Sequence, residues 1–253
     1  MAFDLAGKRG LWIHETAKAI GHLHEIQALG FDYLCVKIAD GERPYFPAEA
    51  KQLCADADTI NLPVVAWAYV YPKNIINTIA TISANIPKGC QHLVLDAEAE
   101  WESPDGDTYN KENLASLLCH GIASSTNHAV QLWLSSFVNP SAHNLPYAAF
   151  LAHCSGFMPQ AYAEGNTPLS TVIARLKSES LPMAQKSLGK SLIPTINTPE
   201  LVPLISGIAP THGFNVWLYD GVQLAPGVPR PAGDDMGVAG YEKQWQKVLA
   251  KAK

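Results

Sequence analysis

The stretch LVLDAEAEWE (93–102) sets Asp96, Glu98, Glu100 and Glu102 at alternate positions directly behind an apolar run. Only 16% of the 253 residues are charged, so this concentration of carboxylates is out of proportion. Like charges along one side of an extended chain repel and are costly to desolvate. On a strand, Asp96 and Glu98 share a face with their Cα atoms about 6.6 Å apart. One carboxyl can then stay protonated in the field of the other. This is the pairing that general acid catalysis of glycoside cleavage requires, with Glu98 as the acid and Asp96 as its electrostatic partner. Glu100 and Glu102 fall beyond the strand and read as solvated loop charges.

The elements that must position this pair follow from the hydrophobic periodicity. Runs rich in β-branched and aromatic residues predict strands at 10–14, 33–39, 64–71, 92–98, 130–136, 156–162, 191–197 and 214–220. Helical patterns lie between them, at Thr16–Leu29, Pro47–Ile60, Asn74–Ala84, Lys111–Asn127 and Leu169–Ser187. This alternation over about 250 residues is the rhythm of a single (β/α)8 barrel domain spanning 1–253. A doubly wound open sheet competes, but no GxGxxG or GxxxxGK[ST] loop follows any of the strands. Long loops are expected at Glu100–Asn110 and at the Pro- and Gly-rich Val222–Gly240, both leaving strand C-termini, with Tyr241–Ala252 as a closing helix.

Strand side chains alternate in direction. If Leu93, Leu95 and Ala97 face the helices, His92, Val94, Asp96 and Glu98 point inward. The same test selects Trp12, His14, Lys37, Trp67, Tyr69, Trp133, Ser135, Met158, Gln160, Tyr162, Thr195, Asn197, Trp217 and Tyr219. Four of the six tryptophans are in this set, and they are expected near the C-terminal mouth. Aromatic faces beside carboxylates and amides suit a sugar, which has apolar C–H faces and a polar hydroxyl edge. Trp67, Tyr69, Gln160, Tyr162, Trp217, Tyr219, Lys37 and His14 are therefore the candidate substrate-binding residues.

Other chemistry is less well supported. The balance of 18 basic and 23 acidic residues, a net charge of −5 without a basic run, argues against nucleic acid or an anionic membrane as partner. The N-terminus has no apolar core of signal-peptide length and no apolar stretch is long enough to span a bilayer. The expectation is a soluble protein made in the cytoplasm, to be released by lysis or carried in a particle. Five scattered cysteines without CxxC spacing read as reduced core residues. His14, Glu15, His22, His24 and Glu25 include no HExxH and no i,i+4 histidine pair, so neither metal nor cofactor is expected. No GxSxG elbow is present. An inward Lys37 is either a Schiff-base lysine or, preferably, the ion-pair partner of Asp96.

Several of these segments resemble a known family. GFDYLCVKIADG (30–41) is similar to the second strand of glycoside hydrolase family 25 lysozymes, and VVAWAYVYP (64–72) stands where that family has Gly-Ala-Tyr-His. LVLDAE (93–98) resembles its fourth-strand Asp-x-Glu, while FMPQAY (157–162) and VWLYD (216–220) resemble its sixth- and eighth-strand aromatic motifs. The resemblance implies cleavage of an N-acetylhexosamine polymer such as peptidoglycan. One departure stands out: the family's first strand carries an active-site aspartate in an Asp-x-Ser motif, whereas this chain has GLWIHE, with His14 and Glu15. EAEWE (98–102) with MPQAY also resembles family 18 chitinases, which would move the acid to Glu102. A catalytically silent barrel, serving as a glycan-binding or structural module of a phage particle or secretion-like assembly, is the alternative of a different class.

Overall fold

A computed structural model describes residues 3–103, 110–186, 189–208 and 213–219. The strands are β1 (Arg9–Ile13), β2 (Tyr33–Asp40), β3 (Arg43–Pro44), β4 (Val64–Val70), β5 (His92–Ala97), β6 (Gln131–Phe137), β7 (Gly156–Ala161), β8 (Ser191–Leu192), β9 (Thr195–Ile196) and β10 (Phe214–Tyr219). The helices are α1 (Thr16–Ala19), α2 (Leu23–Ala28), α3 (Pro47–Thr59), α4 (Ile75–Asn85), α5 (Lys111–Ser125), α6 (Tyr147–His153), α7 (Leu169–Arg175) and α8 (Val202–Ser206).

Parallel pairing runs from β1 through β2, β4, β5, β6 and β7 to the β8/β9 position, then to β10 and back to β1. Among the described residues this is a closed eight-stranded (β/α)8 barrel, with β3 a short antiparallel return on the end of β2. The seventh predicted strand is split. β8 pairs with the start of β7 and β9 with its end, with Pro194, which has no N–H for a ladder, between them.

Two helical expectations change. The 16–29 segment breaks into α1 and α2 around Gly21, whose φ of +86° is left-handed. The 169–187 pattern is α-helical only to Arg175 and continues as wider π-type turns, Leu176–Ser180 and Pro182–Lys186. The Val222–Gly240 loop and the Tyr241–Ala252 helix lie outside the described residues.

The alternation of side chains divides the interior in two. Leu34, Val36, Leu93, Leu95, Ala97 and Leu134 join the core between sheet and helices. Trp12, Tyr33, Cys35, Trp67, Val94, Trp133 and Met158 pack inside the barrel. Its floor is hydrogen-bonded shut. Trp133 Nε1 donates to His92 Nδ1 (3.2 Å), and His92 Nε2 lies 2.6 Å from the Phe3 carbonyl, so the ring is neutral with its proton on Nε2. Burial lowers the His92 pKa accordingly. Tyr33 donates to Asn215 Oδ1 (2.5 Å), and Phe3 packs edge-on against Tyr33 and His92. The barrel is therefore accessible from its C-terminal end.

Trp133 can lie across the floor only because residue 156 has no side chain. A Cβ there would fall 2.3 Å from Trp133 Cζ3 and 2.6 Å from the Ser191 carbonyl oxygen. Gly156→Ala should lower the unfolding free energy in urea by about 1–3 kcal/mol, the usual effect of overpacking, while an alanine at Gly207, whose φ is −79° and whose Cβ would meet nothing closer than 3.8 Å, should show no such penalty.

Candidate active site

Strand β5 brings Asp96 and Glu98 to the C-terminal mouth. Asp96 is 2% exposed, and its Oδ1 accepts from Ser135 Oγ (2.7 Å) and Gln160 Nε2 (3.0 Å). The same Gln160 nitrogen donates to Glu98 Oε1 at 2.7 Å. One amide thus bridges both acids. Burial, reinforced by the charge of Glu98, holds Asp96 above the usual carboxylate range against its hydrogen bonds from Ser135 and Gln160. Burial also raises Glu98, opposed by the Gln160 bond and assisted by Glu100 and Glu164.

A cavity of about 310 Å³ opens over the pair, lined by His14, Lys37, Asp40, Trp67, Tyr69, Tyr71, Asp96, Glu98, Glu100 and Trp217. Of the sequence-derived candidates, Trp67, Tyr69, Trp217, Lys37 and His14 thus surround both carboxyls, and Gln160 joins through its hydrogen bonds. Tyr162 stands behind Trp217, ring centroids 6.2 Å apart; burial and the Asp96 and Glu98 charges push its phenol well above its ordinary pKa. The side chain of Tyr219 is outside the described residues. Of the four inward tryptophans, two are elsewhere: Trp133 is on the floor, and Trp12 is buried beneath Trp67 and Trp217 at 4.9 and 5.5 Å. Parity gives the side a residue faces but not its depth.

Lys37 pairs with Asp40 at 2.7 Å, not with Asp96. Its ammonium also lies 4.3 Å from the Tyr45 ring centroid and 4.9 Å from that of Trp67. Asp40 was missed because strict alternation puts Ala39 inward. The pairing of β2 with β4 shifts between Lys37 and Ala39, a bulge that places Asp40 opposite Tyr69 at the rim. Burial would raise Asp40, but hydrogen bonds from Lys37 and Tyr71 outweigh it and hold the carboxyl below its ordinary value. His14 is lowered by burial and by Lys37, and its ring lies tilted against that of Tyr45, centroids 5.1 Å apart.

The acidic tail behind β5 is structured rather than loose. Residues Ala99–Trp101 form a helical turn, and Trp101 is fully buried, its Nε1 donating to the Val70 carbonyl (2.8 Å). This anchor sends its neighbours apart. Glu100 reaches the cavity and accepts from Tyr69 (2.7 Å), whereas Glu102 pairs with His143 (2.8 Å), whose ring stacks on Phe137. Glu100 is thus a lining residue and Glu102 lies away from the cavity. On the first strand, His14 lines the cavity and Glu15 instead pairs with Lys18 at 3.0 Å.

Neither protein-family models nor curated proteins match the chain. Among solved structures, the chitinase ICChI from Ipomoea carnea is similar over 97% of this chain and 100% of its own, with TM-score 0.61 and 10% identity. The endo-beta-1,4-glucanase Xac0029 from Xanthomonas axonopodis pv. citri covers 95% of this chain and 99% of its own, at TM-score 0.60 and 9% identity. A family 25 glycosyl hydrolase from Bacillus anthracis covers 67% and 75%, at 12% identity and TM-score 0.44, too low to single out that family. A dihydrodipicolinate synthase from Agrobacterium tumefaciens matches too, at TM-score 0.51 and 11% identity over 96% and 77%. The chain has the TIM-barrel fold found in glycoside hydrolases. At these identities the likeness is one of fold, and the chemistry must be argued from the site.

The raised carboxyls carry a consequence for stability. A group whose pKa is higher in the fold than in the unfolded chain favours folding fully below its unfolded pKa. That contribution is lost as pH rises through the folded value. Urea titrations should show stability falling as pH climbs from the ordinary carboxylate range through the raised values of Asp96 and Glu98. Asp96→Asn keeps the acceptor oxygen without the charge, and should flatten this decline and exceed wild type by on the order of 1–2 kcal/mol at about pH 8. Parallel profiles for the two proteins would mean that ionising Asp96 costs the fold nothing.

Proposed function

We propose that the protein is a glycosidase acting on an N-acetylhexosamine glycan of the peptidoglycan type, with Glu98 as general acid and Asp96 as the partner that orients or electrostatically supports the reacting group. The observation that carries this reading is the amide of Gln160 bridging a buried and a half-buried carboxyl beneath an aromatic-walled cavity. Burial raises both carboxyls, and the charge of Glu98 adds to the rise of Asp96, the direction a general acid requires.

A single nitrogen bonded to both acids holds those oxygens closer than the roughly 6.5–9.5 Å an inverting enzyme needs to admit water between its carboxyls. The pair therefore suits an acid and an orienting neighbour on one side of the bond, not an acid and a base across a water. Tyr69 and Trp217 would offer faces to the sugar ring, with the buried Trp67 packed against Trp217. His14, Lys37 and Glu100 would offer polar contacts to its edge. The peptidoglycan-type substrate rests on the resemblance of 93–98 and the neighbouring strands to family 25.

A second reading, a silent glycan-binding or structural barrel within a phage-related or secretion-like assembly, is favoured by one observation. Among the described residues no carboxylate at the end of the first strand lines the cavity; Glu15 pairs with Lys18.

The two readings separate in an assay for reducing ends released from purified cell walls and from chitin oligomers. Glu98→Gln should lower hydrolysis by roughly 10²-fold or more with little change in folding, because the amide cannot donate the proton. Glu102→Gln, altered outside the cavity, should be nearly neutral. Loss of activity in Glu102→Gln alone would transfer the role of acid to Glu102. Inactivity of wild type on every glycan would favour the silent barrel.

A further inference from the structure

Trp101 fixes where the residue before it goes. Its indole is buried and donates to the Val70 carbonyl (2.8 Å), and its backbone N–H closes the turn on the Glu98 carbonyl (3.0 Å). The turn is thus tied to β4 one residue beyond Tyr69, and Glu100 accepts from the Tyr69 hydroxyl at 2.7 Å. The Tyr69 ring is held from its other side, tilted against Tyr71 with centroids 5.1 Å apart, and Tyr71 donates in turn to Asp40 (2.8 Å). A buried anchor and two neighbouring strands therefore bring Tyr69 and Glu100 together.

A phenol has one proton to donate. Two carboxyls compete for that of Tyr69. Burial, then the charge of Glu98 and the bond to Glu100, push the Tyr69 pKa well above its ordinary value, so the hydroxyl remains a donor. Its bond goes to Glu100, whereas donation to Glu98 would favour the ionised form of that acid, as the Gln160 bond does. Glu100 acts in the opposite sense, its charge raising Glu98. The other titratable groups facing Glu98 are Asp96 beside it on β5 and Glu164 and Tyr162 beyond β7, with Lys37, Asp40 and His14 in the same cavity.

We propose that Glu100 is a positioning residue for the acid: it takes the single proton of the Tyr69 hydroxyl, withholding that donor from Glu98, and so leaves Glu98 to donate to the leaving oxygen of the glycoside. The proposal rests on the glycosidase reading of the cavity and deepens it. Glu100 acts through Tyr69 and passes no proton to or from the substrate.

The acid can be followed with and without turnover. NMR titration of the Glu98 side-chain carboxyl carbon, assigned by its disappearance in Glu98→Gln, should place Glu98 lower in Glu100→Ala than in wild type by about half a pH unit or more, the size of one modest hydrogen bond. Glu100→Gln, which keeps an acceptor for the hydroxyl, should lower it less. Adding Tyr69→Phe to Glu100→Ala should recover part of the drop, because the hydroxyl freed from Glu100 is then gone. The basic limb of kcat/KM for release of reducing ends should move in step across these proteins. Glu100 is exposed, and the same spectra report the fold of each variant. An unchanged Glu98 titration in Glu100→Ala, or a drop of equal size after Tyr69→Phe is added, would overturn the proposal and leave the glycosidase reading standing. A titration that moves while the basic limb stays in place would overturn the proposal together with Glu98 as the acid. Wild type that releases no reducing ends from any glycan would overturn the glycosidase reading, and the proposal with it.

Discussion

Asp96 and Glu98 are drawn out of water next to one another, and a carboxylate in that position must either keep its proton or find compensating charge and hydrogen bonds. The surrounding side chains supply a partial compensation. Ser135 and Gln160 donate to Asp96, and Gln160 donates to Glu98 with the same nitrogen. These bonds position the carboxyls without cancelling their burial, and both remain raised. The mouth of the barrel is built around two carboxyls whose ionisation burial opposes.

The floor of the barrel makes that condition possible. Trp12, Trp133 and Met158 fill the interior beneath the pair, and the His92 imidazole, with one nitrogen bound to Trp133 and the other to the Phe3 carbonyl, adds no charge there. Access is then from one end, and the side chains packed under the acids are aromatic and apolar. A wetter floor would lower both carboxyls toward ordinary values and leave the proposed acid ionised.

Much of this was legible in the chain, for reasons that can be named. A barrel strand has two distinct environments, so the period of two along LVLDAE separated Leu93, Leu95 and Ala97 from Val94 and Asp96 without knowledge of any partner strand. Depth was not legible: Trp133 and Trp67 obey the same parity, yet one closes the floor and the other lines the cavity. Nor were irregularities, because a bulge is a relation between two strands. The shift after Lys37 put Asp40 at the rim, where alternation expects Ala39. Trp101 shows the third limit. Its indole binds the Val70 carbonyl and packs on Phe150, tertiary contacts that turn an apparent acidic loop into an anchored turn with Glu100 on one side and Glu102 on the other.

The bulge in β2 also settles which acid the buried lysine serves, and this bears directly on the proposed chemistry. Lys37 enters the barrel among Tyr45, Trp67 and Tyr69, a few residues from three carboxyls of the mouth. Had it paired with Asp96, as the unbulged alternation suggests, a direct cation contact would have stabilised the ionised form and lowered that carboxyl. With Asp40 turned to the rim, the ammonium is taken at 2.7 Å by an acid that Tyr71 also holds in its charged form, below its ordinary pKa. The mouth is thereby divided into an ion-paired half, Lys37 with Asp40, and a half of raised carboxyls, Asp96 with Glu98. One extra residue in a strand gives the lysine an acid of its own, so that its charge only partly offsets the rise of Asp96.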